Sequence, residues 1–322
     1  MGFLQMPFYH YIIMVIGWPS FFLYLLMIVC ILKNRSKNVL LRSSFFKMVL
    51  AESIPEITLF LYVEVIMRTR KFGFLQIFKP QTNSSLVEAV FFGHNALRNV
   101  VILGYIPFAV NRFTALRYPT SYAKRWTNGF TMVFIILCWI GGFSIAAPIY
   151  FYKNANFSYV YNPKFGGFTL AASDDVLEYD SISAISTVSS VFALCSLFYT
   201  LSCISLRRVL SSTDAKSTAR IREDFLLLLS SILTFSTMSL DVAVFILQFA
   251  ASAAHKDDLV SLSFDLWFVT TELMCIAQPW CLLCTNRTVR RYFLRLIRFR
   301  QESSVVSKHE TSRVDIRTLS NA

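Results

Sequence analysis

The chain has 322 residues, 55% of them hydrophobic and only 16% charged, with 31 phenylalanines. A soluble domain of this length carries roughly 25% charge, so the composition excludes a water-soluble globular fold. The net charge of +12 raises nucleic acid as a partner, but the basic residues gather at the ends of long apolar blocks. That placement points to an anionic membrane leaflet instead, and no nucleic-acid partner is expected.

Seven apolar blocks are each long enough to span hydrocarbon as a helix. They are predicted at 11–32, 45–67, 86–110, 129–152, 181–206, 225–250 and 263–284. The stretches 33–44, 111–128, 207–223 and 285–322 hold 22 Lys and Arg, against 7 in the remaining connections. The positive-inside rule then puts the amino terminus outside and the carboxyl terminus inside. Arg68, Arg70, Lys71 and Lys79 run against it, in what becomes an outer loop. The expected fold is an all-α membrane protein, a seven-transmembrane helix bundle with a short amphipathic eighth helix.

Residues 1–10 lack a basic region and a small-residue cleavage site, so the first block is expected to be retained as a signal anchor. Block two carries Glu52, Glu56 and Glu64, with Glu52 and Glu56 one helical turn apart. Block three carries His94, Asn95, Arg98 and Asn99, two pairs spaced four apart that make one polar stripe. Charges inside a spanning helix are costly and mark functional sites by default. Arg98 precedes Arg112 by 14 residues, roughly 21 Å along a helix, which places it at the floor of an outward pocket. Its expected partner is Asp241 in block six or Glu272 in block seven, or else an anionic ligand.

Block three ends in the segment 111–126, Asn-Arg-Phe-Thr-Ala-Leu-Arg-Tyr-Pro-Thr-Ser-Tyr-Ala-Lys-Arg-Trp. An Arg in the last turn of a membrane helix sits where hydrocarbon gives way to water, free to snorkel or to pair with a neighbour. The spacing of Arg112, Ala115-Leu116, Pro119 and Tyr122 resembles the Asp-Arg-Tyr-x-Ala-Ile-x-x-Pro-Leu-x-Tyr segment of rhodopsin-like G-protein-coupled receptors. Asn111 stands in place of their acid, Phe113 in place of their Tyr and Thr120 in place of their Leu. The Asn-Arg form followed by Trp126 is similar to the nematode serpentine chemoreceptors of the gamma/V superfamily, class V or class gamma.

Farther along, block six has no proline, unlike the rhodopsin-like pattern, and block seven closes on Gln278-Pro279 without the family's Tyr. Residues 289–298 alternate basic and apolar side chains at helical spacing, as an interfacial helix does. Beyond Arg300 the Ser/Thr-rich, charged tail is expected to be a disordered cytoplasmic segment, leaving 1–299 as the receptor domain. The sequons at Asn83 and Asn156 fall in expected outer loops; those at Asn34 and Asn286 fall inside and are chance matches. All seven cysteines lie within apolar blocks, none placed for an outer disulfide.

What the resemblance implies is a receptor that converts binding of a small external ligand into activation of a heterotrimeric G protein. It sits in the cell membrane, among membrane lipids, and in this family in the ciliary membrane of sensory neurons. Ligand contacts are expected from Arg98, His94, Asn95, Asp241 and Glu272. Coupling to the G protein is expected from Asn111, Arg112, Phe113, Pro119 and Tyr122. The chain shows no metal cluster, no nucleophile elbow, no phosphate-binding Gly loop and no Rossmann fingerprint, so neither an enzyme nor a cofactor is expected. The rival class is a polytopic transporter or channel built on Glu52, Glu56 and Glu64.

Overall fold

Inside hydrocarbon no water satisfies the backbone, so apolar blocks of this length fold as helices whose amides bond within the segment. A computed structural model describes residues 6–74, 81–82, 85–152, 156–163, 165–211, 218–254 and 256–298. The Ser/Thr-rich tail, Lys79 and the Asn83 sequon lie outside them.

Helix α1 spans Phe8–Asn34 and α2 begins as Ser44–Leu61. Without a break, α2 runs through a π-helical stretch, Tyr62–Arg68, into one more turn, Thr69–Lys71. Next come α3 (Ser85–Arg117), α4 (Asn128–Ala146, extended by a 3-10 turn at Ala147–Phe151), α5 (Asp174–Ser211), α6 (Thr218–Ala253) and α7 (Asp257–Thr285). The short helix α8 covers 287–298, and the Asn286 side chain accepts the amide of Val289 at 3.0 Å as its cap. Six of the long helices are apolar enough to cross a membrane; α2 carries three charges, Lys47, Glu52 and Glu56, in its α-helical part. Helices α5 and α6 each start seven residues before their expected positions. In α5 the added turns begin with Asp174 and Asp175, acids that suit a helix amino terminus.

Helix α3 is the axis of the bundle, touching α2, α4, α5 and α6. One core cluster joins α2, α3, α5, α6 and α7, with Leu59, Val101, Val188, Phe235, Met238 and Met274 among its buried members. A second gathers Tyr24, Phe45, Phe108, Leu282 and Val289 at the other end. Close helix approach in lipid favours small residues. Gly142 of α4 is such a contact, since a Cβ there would stand 2.7 Å from the Val100 amide nitrogen of α3. The outward faces of α1 and α4 expose Val15, Phe22, Leu137 and Ile140, as helices bathed in lipid do.

Three short strands lie outside what the apolar blocks predict. β1 (Gln81–Thr82), β2 (Ser158–Asn162) and β3 (Gly167–Ala171) form an antiparallel sheet in that order over one end of the bundle. On β2, Tyr159 is buried while Val160 and Tyr161 are exposed. The sheet meets the end of α2 backbone to backbone. A side chain on Gly167 would collide with the Arg70 and Lys71 carbonyls, and Gly73 turns there with φ +64. The opposite end holds Arg112 and α8, so the two ends are called here the sheet end and the basic end.

Candidate functional site

At the sheet end, His94, Asn95, Arg98 and Asn99 of α3 are all buried, as the expected stripe requires. Arg98 is 3% exposed, and its partner differs from the expected ones. Its Nη2 lies 3.4 Å from Oδ1 of Asp180, on the second turn of α5, and its guanidinium is 6.0 Å from the Phe245 ring of α6. Neither Asp241 nor Glu272 takes that role. Asp241 accepts the Thr270 hydroxyl at 2.8 Å, while Glu272 is held in an ion pair by Arg68 of α2. The Arg98–Asp180 pairing has a geometric cause. Because α5 starts at Asp174, Asp180 is helical and faces the bundle rather than lying in a loop.

The Arg68 guanidinium also meets Glu64 at 2.9 Å, one turn back in the π-helical stretch. Beside it, Lys71 pairs with Asp265 of α7, whose other oxygen accepts the Tyr9 hydroxyl at 3.0 Å. Arg70 stacks on the Tyr159 ring at 5.0 Å. Three of the four basic residues that broke the charge rule are therefore buried and occupied in tying α1, α2, α7 and the sheet together. Glu64 belongs to this knot and not to a shared site with Glu52 and Glu56.

Around the stripe, several buried polar atoms have no hydrogen-bond partner among the described residues. They are His94 Nε2, both amide atoms of Asn95, Asn99 Oδ1, Asp241 Oδ2, Trp267 Nε1 and Thr271 Oγ1. Leaving such groups unmatched in a dry interior costs roughly 1–3 kcal/mol each. They supply both donors and acceptors, and aromatic rings flank them: the His94 ring meets Trp267 edge-on at 5.0 Å and Tyr62 at 6.0 Å.

Two turns nearer the basic end lies a polar layer. The Tyr24 hydroxyl of α1 contacts both the Glu56 carboxylate of α2 and the Gln278 amide oxygen of α7. Next to it is a cavity of ≈ 20 Å³ lined by Glu52, Glu56, Tyr105, Tyr199 and Gln278 among others, room for a single water.

At the basic end, Arg112 is 3% exposed with its guanidinium 4.6 Å from the Phe45 ring. One Nη bonds to Asn111 Oδ1, and the other lies 4.0 Å from Asp224 Oδ1 on the first turns of α6. Asn111 donates to the Tyr122 hydroxyl at 2.9 Å, Trp126 donates to Thr114 Oγ1 at 2.6 Å, and Ser44 donates to the Trp126 carbonyl at 2.9 Å. The connection 118–127 is thereby folded back onto α2 and α3. Pro119 is exposed just beyond the end of α3, where the bias it imposes on Tyr118 stops the helix. Phe113 packs on Phe198 of α5 at 5.7 Å. Of the residues that complete these sites, Asp180, Asp265, Tyr24 and Asp224 were not singled out by sequence, and Arg68 stood out only as a cation against the charge rule. The one available signal was an acid next to the start of an apolar block, which fits Asp180 and Asp224.

Seven helices around a buried polar stripe, with an arginine held at the far end of the same helix, make up a multi-pass membrane receptor of the seven-transmembrane kind. The family described as serpentine type 7TM GPCR chemoreceptor Srv matches residues 11–299. A relative, serpentine receptor class V-1 of Caenorhabditis elegans, is 23% identical over 272 residues, covering 83% of each chain. The chain belongs to the Srv family of serpentine chemoreceptors. It is a chemosensory receptor, not an enzyme, and of the two expected classes, V and gamma, the match is to class V.

Proposed function

We propose that the sheet end faces outside and the basic end faces the cytoplasm. In this reading the sheet-end cluster receives a small external ligand and the Arg112 end couples to a heterotrimeric G protein. Support for the orientation comes from Arg68, Arg70 and Lys71 being buried at the sheet end, Arg68 and Lys71 in ion pairs, whereas Lys33, Lys37, Arg42 and the arginines of α8 are exposed at the opposite end. Residues 1–299 form the receptor domain and 300–322 a cytoplasmic tail. The protein works at the cell membrane, and its membership of a chemoreceptor family favours the ciliary membrane of a sensory neuron.

The observation that carries the reading is the division of labour along α3. Unmatched buried polar atoms concentrate around Arg98, and the Arg112–Asp224 pair joins α3 to α6 at the other end. Arg98, His94, Asn95 and Asp241 meet the ligand, and Glu272 acts from the neighbouring ion pair. A ligand that favours one packing of α3, α6 and α7 shifts the population of the other end by its differential affinity. Release of Arg112 from Asp224 then opens the face made by Asn111, Phe113, Pro119 and Tyr122. Transport through the carboxylate layer is not favoured, because Glu64 is committed to Arg68 and the family is one of receptors.

The test is guanine-nucleotide exchange on a panel of G proteins with receptor in lipid nanodiscs. Exchange lost in Arg112→Ala, with the protein folded, is the expected result. Wild-type exchange that survives the substitution removes Arg112 from coupling.

A further inference from the structure

The buried groups at the sheet end close on one another as a ring across three helices. The His94 ring of α3 meets Trp267 of α7 at 5.0 Å. One turn on, the Thr270 hydroxyl lies 3.2 Å from the Trp267 carbonyl and 2.8 Å from Oδ1 of Asp241 on α6. Phe245 follows Asp241 by one turn, and its ring lies 6.0 Å from the Arg98 guanidinium. Arg98 is one turn from His94, which completes the circuit, and all six residues are buried. Four of them carry polar atoms with no hydrogen-bond partner among the described residues: His94 Nε2, Trp267 Nε1, Asp241 Oδ2 and Arg98 Nε. Two of the four are charged, and their signs are opposite.

Charge selects what the ring can take. The sheet-end cations in ion pairs meet other acids: Arg68 has Glu64 and Glu272, Lys71 has Asp265, and Arg98 has Asp180. Asp241 is left with a hydroxyl, although its carboxylate is wholly buried and such a charge is costly without a counter-charge. Arg98 is held loosely, since its 3.4 Å to Asp180 exceeds the roughly 2.7–2.9 Å of a close charge-assisted bond. A simple amine would neutralise Asp241 but meet Arg98 as a like charge. A simple carboxylate would serve Arg98 and be repelled by Asp241. A molecule with both charges answers both. We infer that the ring binds a small zwitterion, an α-amino acid with an apolar or aromatic side chain. Its ammonium donates to Asp241 Oδ2 and its carboxylate accepts from Arg98 Nε. The Trp267 and Phe245 rings offer the side chain an apolar wall and favour the ammonium beside them. The inference rests on the reading of this cluster as the ligand site.

Thermal unfolding of the full-length receptor in lipid nanodiscs tests it, with the apolar and aromatic amino acids as probes. At least one is expected to raise the melting temperature saturably, which gives its affinity. For that amino acid, the matched decarboxylated amine and the matched deaminated acid should each bind about 10- to 100-fold more weakly, as loss of a charged hydrogen bond requires. Asp241→Asn should bring the amino acid down to the level of its deaminated acid, and Arg98→Gln to the level of its amine. Asp241→Glu should keep the wild-type preference. A purely structural role would weaken all three compounds alike. The proposal is overturned if no amino acid stabilises the receptor, or if the amine or the acid binds wild type as well as the amino acid does. It is equally overturned if both variants retain the wild-type preference. The wild-type comparison stands even where a variant fails to fold. Amino-acid binding without a rise in nucleotide exchange would overturn the receptor reading and leave the ligand class standing, so the two failures are separable.

Discussion

Arg112 shows how one residue change in a motif is compensated elsewhere. With Asn111 in place of an acid, the nearest carboxylate is Asp224, 4.0 Å away and 30% exposed at its side chain. A partly solvated pair of that kind is worth about 1 kcal/mol at most. Asp224→Asn is therefore expected to raise basal nucleotide exchange about two- to fivefold. Asn111→Asp should lower basal exchange, because Asn111 already accepts from Arg112 and a charged acceptor roughly doubles such a bond. Basal exchange in nanodiscs measures both, and an unchanged rate in Asp224→Asn would deny the pair any restraining role. Arg68 is the opposite case, since its side chain is wholly buried between Glu64 and Glu272. Arg68→Met strands both acids and is expected to cost about 3–5 kcal/mol. Glu272→Gln, which leaves the Glu64 pair intact, should cost less; thermal unfolding in detergent gives the order.

Elements were legible in the sequence to the extent that apolarity alone decides them. Seven blocks gave seven helices because the bilayer leaves the backbone no alternative. The first turns of α5 and α6 escaped because polar residues there carry helix beyond the hydrocarbon, and with them went Asp180 and Asp224. The sheet escaped as well, since Ser158–Asn162 and Gly167–Ala171 are only five residues each and are fixed by Gly73 and Gly167 rather than by pattern. The stripe on α3 was readable from four-residue spacing, yet its partner was not, because spacing within one helix says nothing about which neighbour faces it. Close approach between helices was equally silent. Gly142 looks like any membrane glycine until Val100 is seen against it. Gly142→Leu should force α4 off α3 and cost about 1–3 kcal/mol, read as a lowered melting temperature, whereas Gly129→Leu, with open space around it, should not.

Across the whole molecule, the two ends are joined by one central helix and by the Tyr24–Glu56–Gln278 layer between them. If the bundle has two packings, the ends cannot respond independently, for linkage makes the coupling reciprocal. Loosening the cytoplasmic pair raises the fraction of receptor in the active packing, and apparent ligand affinity rises with that fraction. Asp224→Asn should thus lower the half-maximal concentration of any activating ligand by the same two- to fivefold factor that it adds to basal exchange. Arg98→Ala should raise that concentration and leave basal exchange near wild type, since it acts on ligand contacts at the sheet end. Combining the two is the decisive measurement. The double variant should show the basal rate of Asp224→Asn together with the weakened potency of Arg98→Ala, the two effects multiplying as for distant sites. A potency untouched by Asp224→Asn, despite a raised basal rate, would mean that the ligand does not distinguish the two packings, and the route from Arg98 to Arg112 would have to be abandoned.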